Sequence, residues 1–214
     1  MPYQCIVWDF NGTIADDLAV SIDAINKVLA RRGLPCIKNT EEYRQVFGFP
    51  IREYYRQLGF DFEKEPYEIP AKEWVDAYTA GLSQITLVPG VRQVIEEMQK
   101  AGIIQVILSA CEENMLLQML DHFGLTSCFQ KIFSAQDIYG TGKTEVAEKF
   151  SKEWDVQPDL MLFIGDTDHD AQAARILGCD CLLYSGGHMA KYKLLTCGFP
   201  VIDQISEVLH TVFS

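Results

Sequence analysis

No stretch of this 214-residue chain reaches 18 consecutive apolar residues, so no membrane-spanning helix is expected. Met1-Pro2-Tyr3 runs straight into a strand-like segment. It lacks a basic segment followed by a short apolar one, so no secretory leader is expected. Positive charge is scarce, with 18 Lys and Arg against 30 Asp and Glu and a net charge of -12. Nucleic acid and anionic membrane both call for a basic surface, so neither is expected as a partner. An anionic ligand would have to find its positive charge locally, in a metal or in a few lysines and arginines. Cysteine itself is not rare, but its usual patterns are missing. The seven thiols, Cys5, Cys36, Cys111, Cys128, Cys179, Cys181 and Cys197, are odd in number and scattered, with no CxxC pair and no His at zinc-finger spacing. Cys179-x-Cys181 leads into Leu182-Leu183 and reads as strand, where thiols pack as small hydrophobes. Reduced, mostly buried thiols in a cytoplasmic protein are the expectation.

What is present is apolar residue in two textures. The chain is 48% hydrophobic, enough for one substantial core, or for one core plus a smaller accessory unit. Short apolar runs read as buried parallel strands: Cys5–Trp8, Ile103–Leu108, Lys131–Ser134, Leu160–Ile164, Cys181–Tyr184 and, weakly, Pro200–Ile202. Between them lie helical periodicities. Val91, Val94, Ile95 and Met98 fall on one helix face between Gly90 and Gly102. Met115 to Leu120, Val146 to Phe150 and Ala171 to Leu177 repeat the pattern. Strand–helix alternation predicts an α/β fold, a doubly wound parallel sheet covered on both faces.

Residues from about 16 to 85 break that rhythm. They carry no convincing strand and read as helices: Leu18, Ile22, Ile25 and Leu29 on one face, then 40–47, 51–58 and about 68–84. The expected organisation is a core of residues 1–15 plus 86–214 and an inserted α-helical cap of residues 16–85. Linkers near 14–17 and 83–89 would hinge the insert over the carboxyl ends of the strands, where open α/β sheets bind ligands.

Four places carry chemistry. Asp9 ends the first strand, in Asp9-Phe10-Asn11-Gly12-Thr13. Ser109 follows Val106-Ile107-Leu108. Lys143 sits in Gly140-Thr141-Gly142-Lys143-Thr144 at a helix start. The acidic loop Gly165-Asp166-Thr167-Asp168-His169-Asp170 follows another strand. Each alone is ordinary: a turn carboxylate, a cap serine, a solvated lysine. The Gly-rich stretch is not a Walker A loop, because Asp137 stands where the first glycine is required. Together they are coherent. Asp9, Asp166 and Asp170 would crowd negative charge, and a hard divalent cation resolves that. Ser109 and Lys143 suit phosphoryl oxygens, and backbone N–H groups of the Gly12-Thr13 turn can add anion contacts.

The four motifs resemble, in order and along almost the whole chain, those of haloacid dehalogenase-superfamily hydrolases of the phosphoglycolate phosphatase-like type. That resemblance implies a Rossmann-like core with a helical cap. It also implies Mg²⁺-dependent hydrolysis of a small phosphate ester through an aspartyl-phosphate on Asp9. It assigns Asp9, the Asn11 carbonyl, Asp166 and Asp170 to the metal, and Thr13, Ser109 and Lys143 to the phosphate. Thr144 stands where relatives carry proline.

Asn11 departs from the pattern, which has there an Asp that protonates the leaving group. General acid–base catalysis contributes roughly 10²–10⁴ in rate. Asn keeps the backbone ligand and loses the proton transfer. Four readings stay open: a phosphatase with a good leaving group or another acid (His169, Asp16 or Glu112), a relative with other chemistry, an Asp-to-Asn replacement that traps a complex, or a low-turnover protein that binds a phosphorylated ligand. Dehalogenase chemistry calls for Tyr at this position, and phosphonatase chemistry for Ala there with a cap Lys near Gly48, where Ile51 stands instead. Cap side chains such as Arg52, Tyr54, Tyr55 and Trp74 are either core or substrate contacts, with Arg52 a candidate for an anionic group.

Overall fold

The first strand sets the layer plan. Along β1 (Cys5–Trp8), Cys5 and Val7 enter one apolar cluster while Ile6 and Trp8 enter another. Side chains alternate across a strand, so a strand apolar at every position must be covered on both sides. The computed structural model describes residues 3–135 and 143–214. After β1 come a two-residue strand, β2 (Ala15–Asp16), and four helices: α1 (Leu18–Ala30), α2 (Thr40–Val46), α3 (Ile51–Gln57) and α4 (Glu68–Thr79). Then β3 (Thr86–Leu87) leads into α5 (Val91–Lys100), β4 (Ile104–Glu112), α6 (Glu113–His122) and β5 (Lys131–Ala135). The remainder is α7 (Thr144–Glu153), β6 (Met161–Gly165), α8 (Asp168–Leu177), β7 (Asp180–Tyr184), α9 (Lys191–Leu194), β8 (Val201–Ile202) and α10 (Val208–Phe213).

Six strands form one parallel sheet in the order β5-β4-β1-β6-β7-β8. Helices α5, α6 and α10 cover the Ile6/Trp8 face, and α7 and α8 the Cys5/Val7 face. This is the expected doubly wound α/β sheet. Buried polar groups on the first face are paired: Trp8 Nε1 donates to Gln105 Oε1 at 3.1 Å, and Gln105 Nε2 to the Ile95 carbonyl at 3.0 Å.

Two segments differ from the sequence expectation. β4 extends through Ser109 to Glu112, with a register irregularity against β5 between Leu108 and Glu112. Such a bulge re-aims side chains at a sheet's rim. The helix expected over 68–84 ends at Thr79, and a short 3₁₀ turn, Leu82–Gln84, follows. Gly81 lies against α1 there; a Cβ on it would meet Val20 at 2.6 Å. The antiparallel pair β2–β3 escapes sequence reading because two residues show no periodicity. It joins the two linkers that flank the helical segment.

The helical segment has its own apolar cluster, rich in aromatics: Tyr43, Phe47, Tyr54, Tyr55, Phe60 and Tyr67 with Ile25, Val28 and Leu29. It stands over the strand ends. Lys193 Nζ donates to the carbonyls of Gln45 and Phe47 at 2.7 and 2.9 Å, and Arg44 Nε donates to that of Gly187 at 2.7 Å. Phe49 stacks on His169 with ring centroids 3.9 Å apart.

Candidate active site

Asp9 continues the line of β1, its amide bonded to the Ile164 carbonyl at 2.8 Å. The chain then folds back at once. The amides of Thr13, Ile14 and Ala15 all reach the Phe10 carbonyl, at 3.3, 2.8 and 2.9 Å. Gly12 has φ +76°, and a Cβ there would lie 2.4 Å from Asp166 Oδ2. Gly187 presses on Asp166 from another side, with its would-be Cβ at 2.1 Å from Oδ2. Two bare backbones therefore fix one carboxylate.

The sequence-predicted residues that carry side-chain chemistry converge. Asp9, Asp166 and Asp170 are buried and each offers a carboxylate oxygen, all within 4.8 Å of one another. Lys143, at the start of α7, reaches across to them. Its Nζ is 2.5 Å from Asp9 Oδ1 and also pairs with Asp170 Oδ1. The other Asp170 oxygen accepts from the amides of Asp166 and Thr167 at 3.0 and 2.8 Å and from Thr167 Oγ1 at 2.7 Å. Asp170 thus caps α8 and anchors Lys143. Thr13 is fully buried and its hydroxyl donates to Asp166 Oδ1 at 3.2 Å. Ser109 is buried beside Asp9 and Lys143 on the same cavity wall, its Oγ accepting from the Cys111 amide at 3.1 Å. Gly140, Thr141 and Gly142 lie outside the described residues.

Electrostatics follow from this crowding. Burial and the neighbouring Asp170 push the Asp9 carboxyl well above the usual carboxylate range, against the pull of Lys143. Burial and Asp170 likewise push Asp166 up to about 7. Burial opposes the charge on Lys143, but Asp170 and Asp9 outweigh it and raise its pKa. One lysine does not neutralise three clustered carboxylates. A hard divalent cation with oxygen ligands fits the donor set, with Asp9 and Asp166 best placed to hold it.

Sequence reading missed a second cluster beneath Asn11. Asp17 is buried, and it accepts from Asn11 Nδ2 at 3.0 Å, from the Gly12 amide at 3.0 Å and from Tyr78 OH at 2.8 Å. Asn11 Nδ2 also donates to Tyr78 OH at 2.8 Å. His188 Nε2 lies 3.0 Å from Asp17 Oδ1, and its Nδ1 lies 2.8 Å from Tyr43 OH. The His188 amide donates to Asp166 Oδ2 at 2.6 Å. Burial opposes ionisation of Asp17, but His188, Tyr78 and Asn11 overcome it and hold the carboxyl below its ordinary range. The signal available was the Asp16-Asp17 doublet; Asp16 is the exposed member.

The three residues weighed as substitute acids are employed otherwise or lie aside. Asp16 is exposed, Glu112 caps α6 through the Asn114 and Met115 amides, and His169 stacks on Phe49 with its pKa lowered by burial. Tyr54, Tyr55 and Trp74 line the cavity above Asp9, and Ile51 joins them. Arg52 does not: its guanidinium lies over Phe62 and Tyr67, at 5.3 and 5.9 Å from the ring centroids.

The sequence profile of haloacid dehalogenase-like hydrolases matches residues 6–184. A phosphoglycolate phosphatase of Pseudomonas savastanoi is 28% identical over 200 residues, covering 86% of this chain and 70% of that protein. A tyrosine-protein kinase (PtkA) of Mycobacterium tuberculosis is 22% identical over 186 residues. That match covers 86% of this chain, which spans 63% of the kinase's length. Among solved structures, a haloacid dehalogenase-like hydrolase from Streptococcus pneumoniae superposes with a TM-score of 0.85 at 19% identity, over 99% of both chains.

Proposed function

The chain belongs to the haloacid dehalogenase-like hydrolases, and we propose that it is a Mg²⁺-dependent phosphatase of a small phosphate monoester, working through an aspartyl-phosphate on Asp9. The observation that carries this reading is the buried cluster of Asp9, Lys143, Asp166 and Asp170 at the carboxyl ends of the strands. Relatives named as phosphoglycolate phosphatases support the reaction class.

Asp9 and Asp166, with the Asn11 carbonyl and support from Asp170, would hold the cation. When bound, Mg²⁺ supplies charge neutralisation for the carboxylates and the phosphoryl oxygens. Lys143 and Ser109 hold the phosphoryl group against Asp9; the Gly12 and Thr13 amides expected to join them are spent inside the turn, on Ala15, Asp17 and Phe10. An Asp9 carboxylate oxygen bonds to phosphorus as the bond from phosphorus to the leaving oxygen breaks. Water then attacks phosphorus, the bond to Asp9 breaks, and inorganic phosphate leaves with the carboxylate regenerated. Residues 16–85 act as a cap domain on the core of 1–15 plus 86–214, and exclude bulk water during these steps. The same reading takes it as a cytoplasmic enzyme acting on a small molecule.

Acetyl phosphate is small enough to test the chemistry apart from specificity. Mg²⁺-dependent phosphate release, lost in Asp9→Asn and on chelation, is the expected result. A radiolabelled phosphoryl group trapped on the wild-type chain by acid quench, and absent from Asp9→Asn, would identify the intermediate. Tight binding of phosphate with no turnover would overturn the reading in favour of a binding protein.

A further inference from the structure

The cavity over Asp9 is about 190 Å³ and its far walls are aromatic: Tyr43, Phe47, Tyr54, Tyr55, Trp74 and Tyr78. Trp74 and Tyr78 stack with centroids 4.8 Å apart, and Tyr54 and Tyr55 meet edge-on at 5.8 Å. Aromatic walls of this kind favour a flat ring through offset and edge contacts. A dry apolar cavity of roughly 150 Å³ takes a benzene-sized molecule, so the space suits a phosphoryl group and one small ring better than a long chain.

Positive charge is lacking where a second anionic group would lie. Among the described residues lining the cavity, Lys143 is the one Lys or Arg side chain, and it is paired with Asp9 and Asp170. His188 is engaged by Asp17 and Tyr43. Arg32 pairs with Glu65 and Glu73, Arg44 bonds the Gly186 and Gly187 carbonyls, and Arg52, itself off the cavity lining, lies over the rings of Phe62 and Tyr67. The undescribed segment 136–142 contains no Lys or Arg in its sequence. A carboxylate or second phosphate on the substrate would therefore be buried unpaired, near Asp17 and Glu112, and that is unfavourable.

The proton chemistry points the same way. Asn11 has no proton to give, and its amide is committed to Asp17 and Tyr78. A leaving oxygen that departs unprotonated must be stable as an anion. A phenol ionises near pH 10 and water near 15.7, with aliphatic alcohols closer to water. One buried polar atom on the wall is also unpartnered, the Tyr54 hydroxyl, in a side chain only 4% exposed. It would meet a neutral polar substituent on the ring.

We propose that the substrate is an aryl phosphate, the monoester of a phenol carrying no second anionic group. This rests on the phosphatase reading above. Four probes separate the two: acetyl phosphate, phenyl phosphate, cyclohexyl phosphate and phosphoglycolate, each with Mg²⁺. The expected order of kcat/KM has phenyl phosphate roughly 100-fold or more above phosphoglycolate and cyclohexyl phosphate. Trp74→Ala is expected to lower kcat/KM for phenyl phosphate at least about tenfold more than for acetyl phosphate in the same preparation, which cancels any loss of folded protein. Turnover of acetyl phosphate with phenyl phosphate no better than phosphoglycolate would overturn the aryl proposal and leave the phosphatase reading standing. Equal loss on both probes in Trp74→Ala would overturn the role of the aromatic walls. No turnover of any probe would overturn both.

Discussion

The side-chain amide of Asn11 donates to the carboxylate of Asp17 across 3.0 Å, and the hydroxyl of Tyr78 bonds to both. The amide is therefore the complement of a buried negative charge. It is not an isolated loss of an acid. An aspartate at position 11 would face Asp17 at hydrogen-bond distance, where two carboxylates cannot both ionise without cost.

Asn11→Asp alone is expected to destabilise the fold by about 2 kcal/mol, the order of a hydrogen bond to a charged group. Asn11→Asp with Asp17→Asn reverses the polarity of the pair and is expected to recover that loss in thermal unfolding. The double variant also gains an acid beside the reacting centre. Its turnover of alkyl phosphates such as cyclohexyl phosphate should exceed that of the wild type by roughly 10²–10⁴. A double variant no more stable than Asn11→Asp would break the argument.

Metal binding has a readout that needs no turnover. Asp9 and Asp166 are held above their ordinary ranges first by burial, then by Asp170, and a cation that favours their ionised forms must stabilise the native chain. At 100 times its Kd a ligand adds about 2.7 kcal/mol, or roughly 5–10 °C in Tm for a domain of this size. Mg²⁺ is expected to raise Tm on that scale in the wild type, chelation to reverse it, and Asp166→Asn to remove most of the response. An unchanged response in Asp166→Asn would exclude Asp166 as a ligand.

These two predictions lie on opposite sides of what the sequence made legible. Asp9 and Asp166 follow strands, Lys143 and Asp170 lie at helix starts, and Ser109 sits inside β4 where its apolar run stops and its register breaks; such points are marked in one dimension. Helix α5 was readable residue for residue because Val91, Val94, Ile95 and Met98 form a clean stripe between two glycines. The Asp17 cluster has no such mark. Asp17 follows its exposed twin, Tyr78 lies 61 residues away on α4, and His188 lies 171 away in a glycine-rich loop. Arg52 was a fair candidate for an anion because side-chain direction on a short helix is not written in its periodicity. The turn that places it over Phe62 and Tyr67 decides.

Lys143 tests the charge balance from the other side. Its ammonium is buried between Asp9 and Asp170. Lys143→Met leaves both carboxylates without their cation, and breaking a buried pair in this way costs about 3–5 kcal/mol. Denaturant unfolding of Lys143→Met without Mg²⁺ is expected to register that loss. Adding Asp170→Asn to it should return part of the stability, since one uncompensated charge is then removed. Additive losses in the two single variants and the double would contradict a shared ion pair.

The proposed cap is latched to the core at one corner, and the latch reaches the Asp166 loop. Arg44 on α2 bonds the carbonyls of Gly186 and Gly187, the residues just before His188, whose amide holds Asp166. Lys193 bonds the same carboxyl end of that helix through the carbonyls of Gln45 and Phe47. Charge-assisted bonds of this type are worth about 1.5–3 kcal/mol each when partly shielded. Arg44→Ala with Lys193→Ala is expected to leave Asp9, Lys143 and the sheet intact and to open the cap more often. Amide hydrogen exchange should then rise in residues 40–58 while strands β1, β4 and β6 stay protected. In kinetics, KM should rise and kcat fall together, because closure both holds the ester and excludes water. Unchanged exchange in 40–58 would mean that the aromatic packing of Phe47 and Phe49 against His188 and His169 keeps the cap shut without the latch.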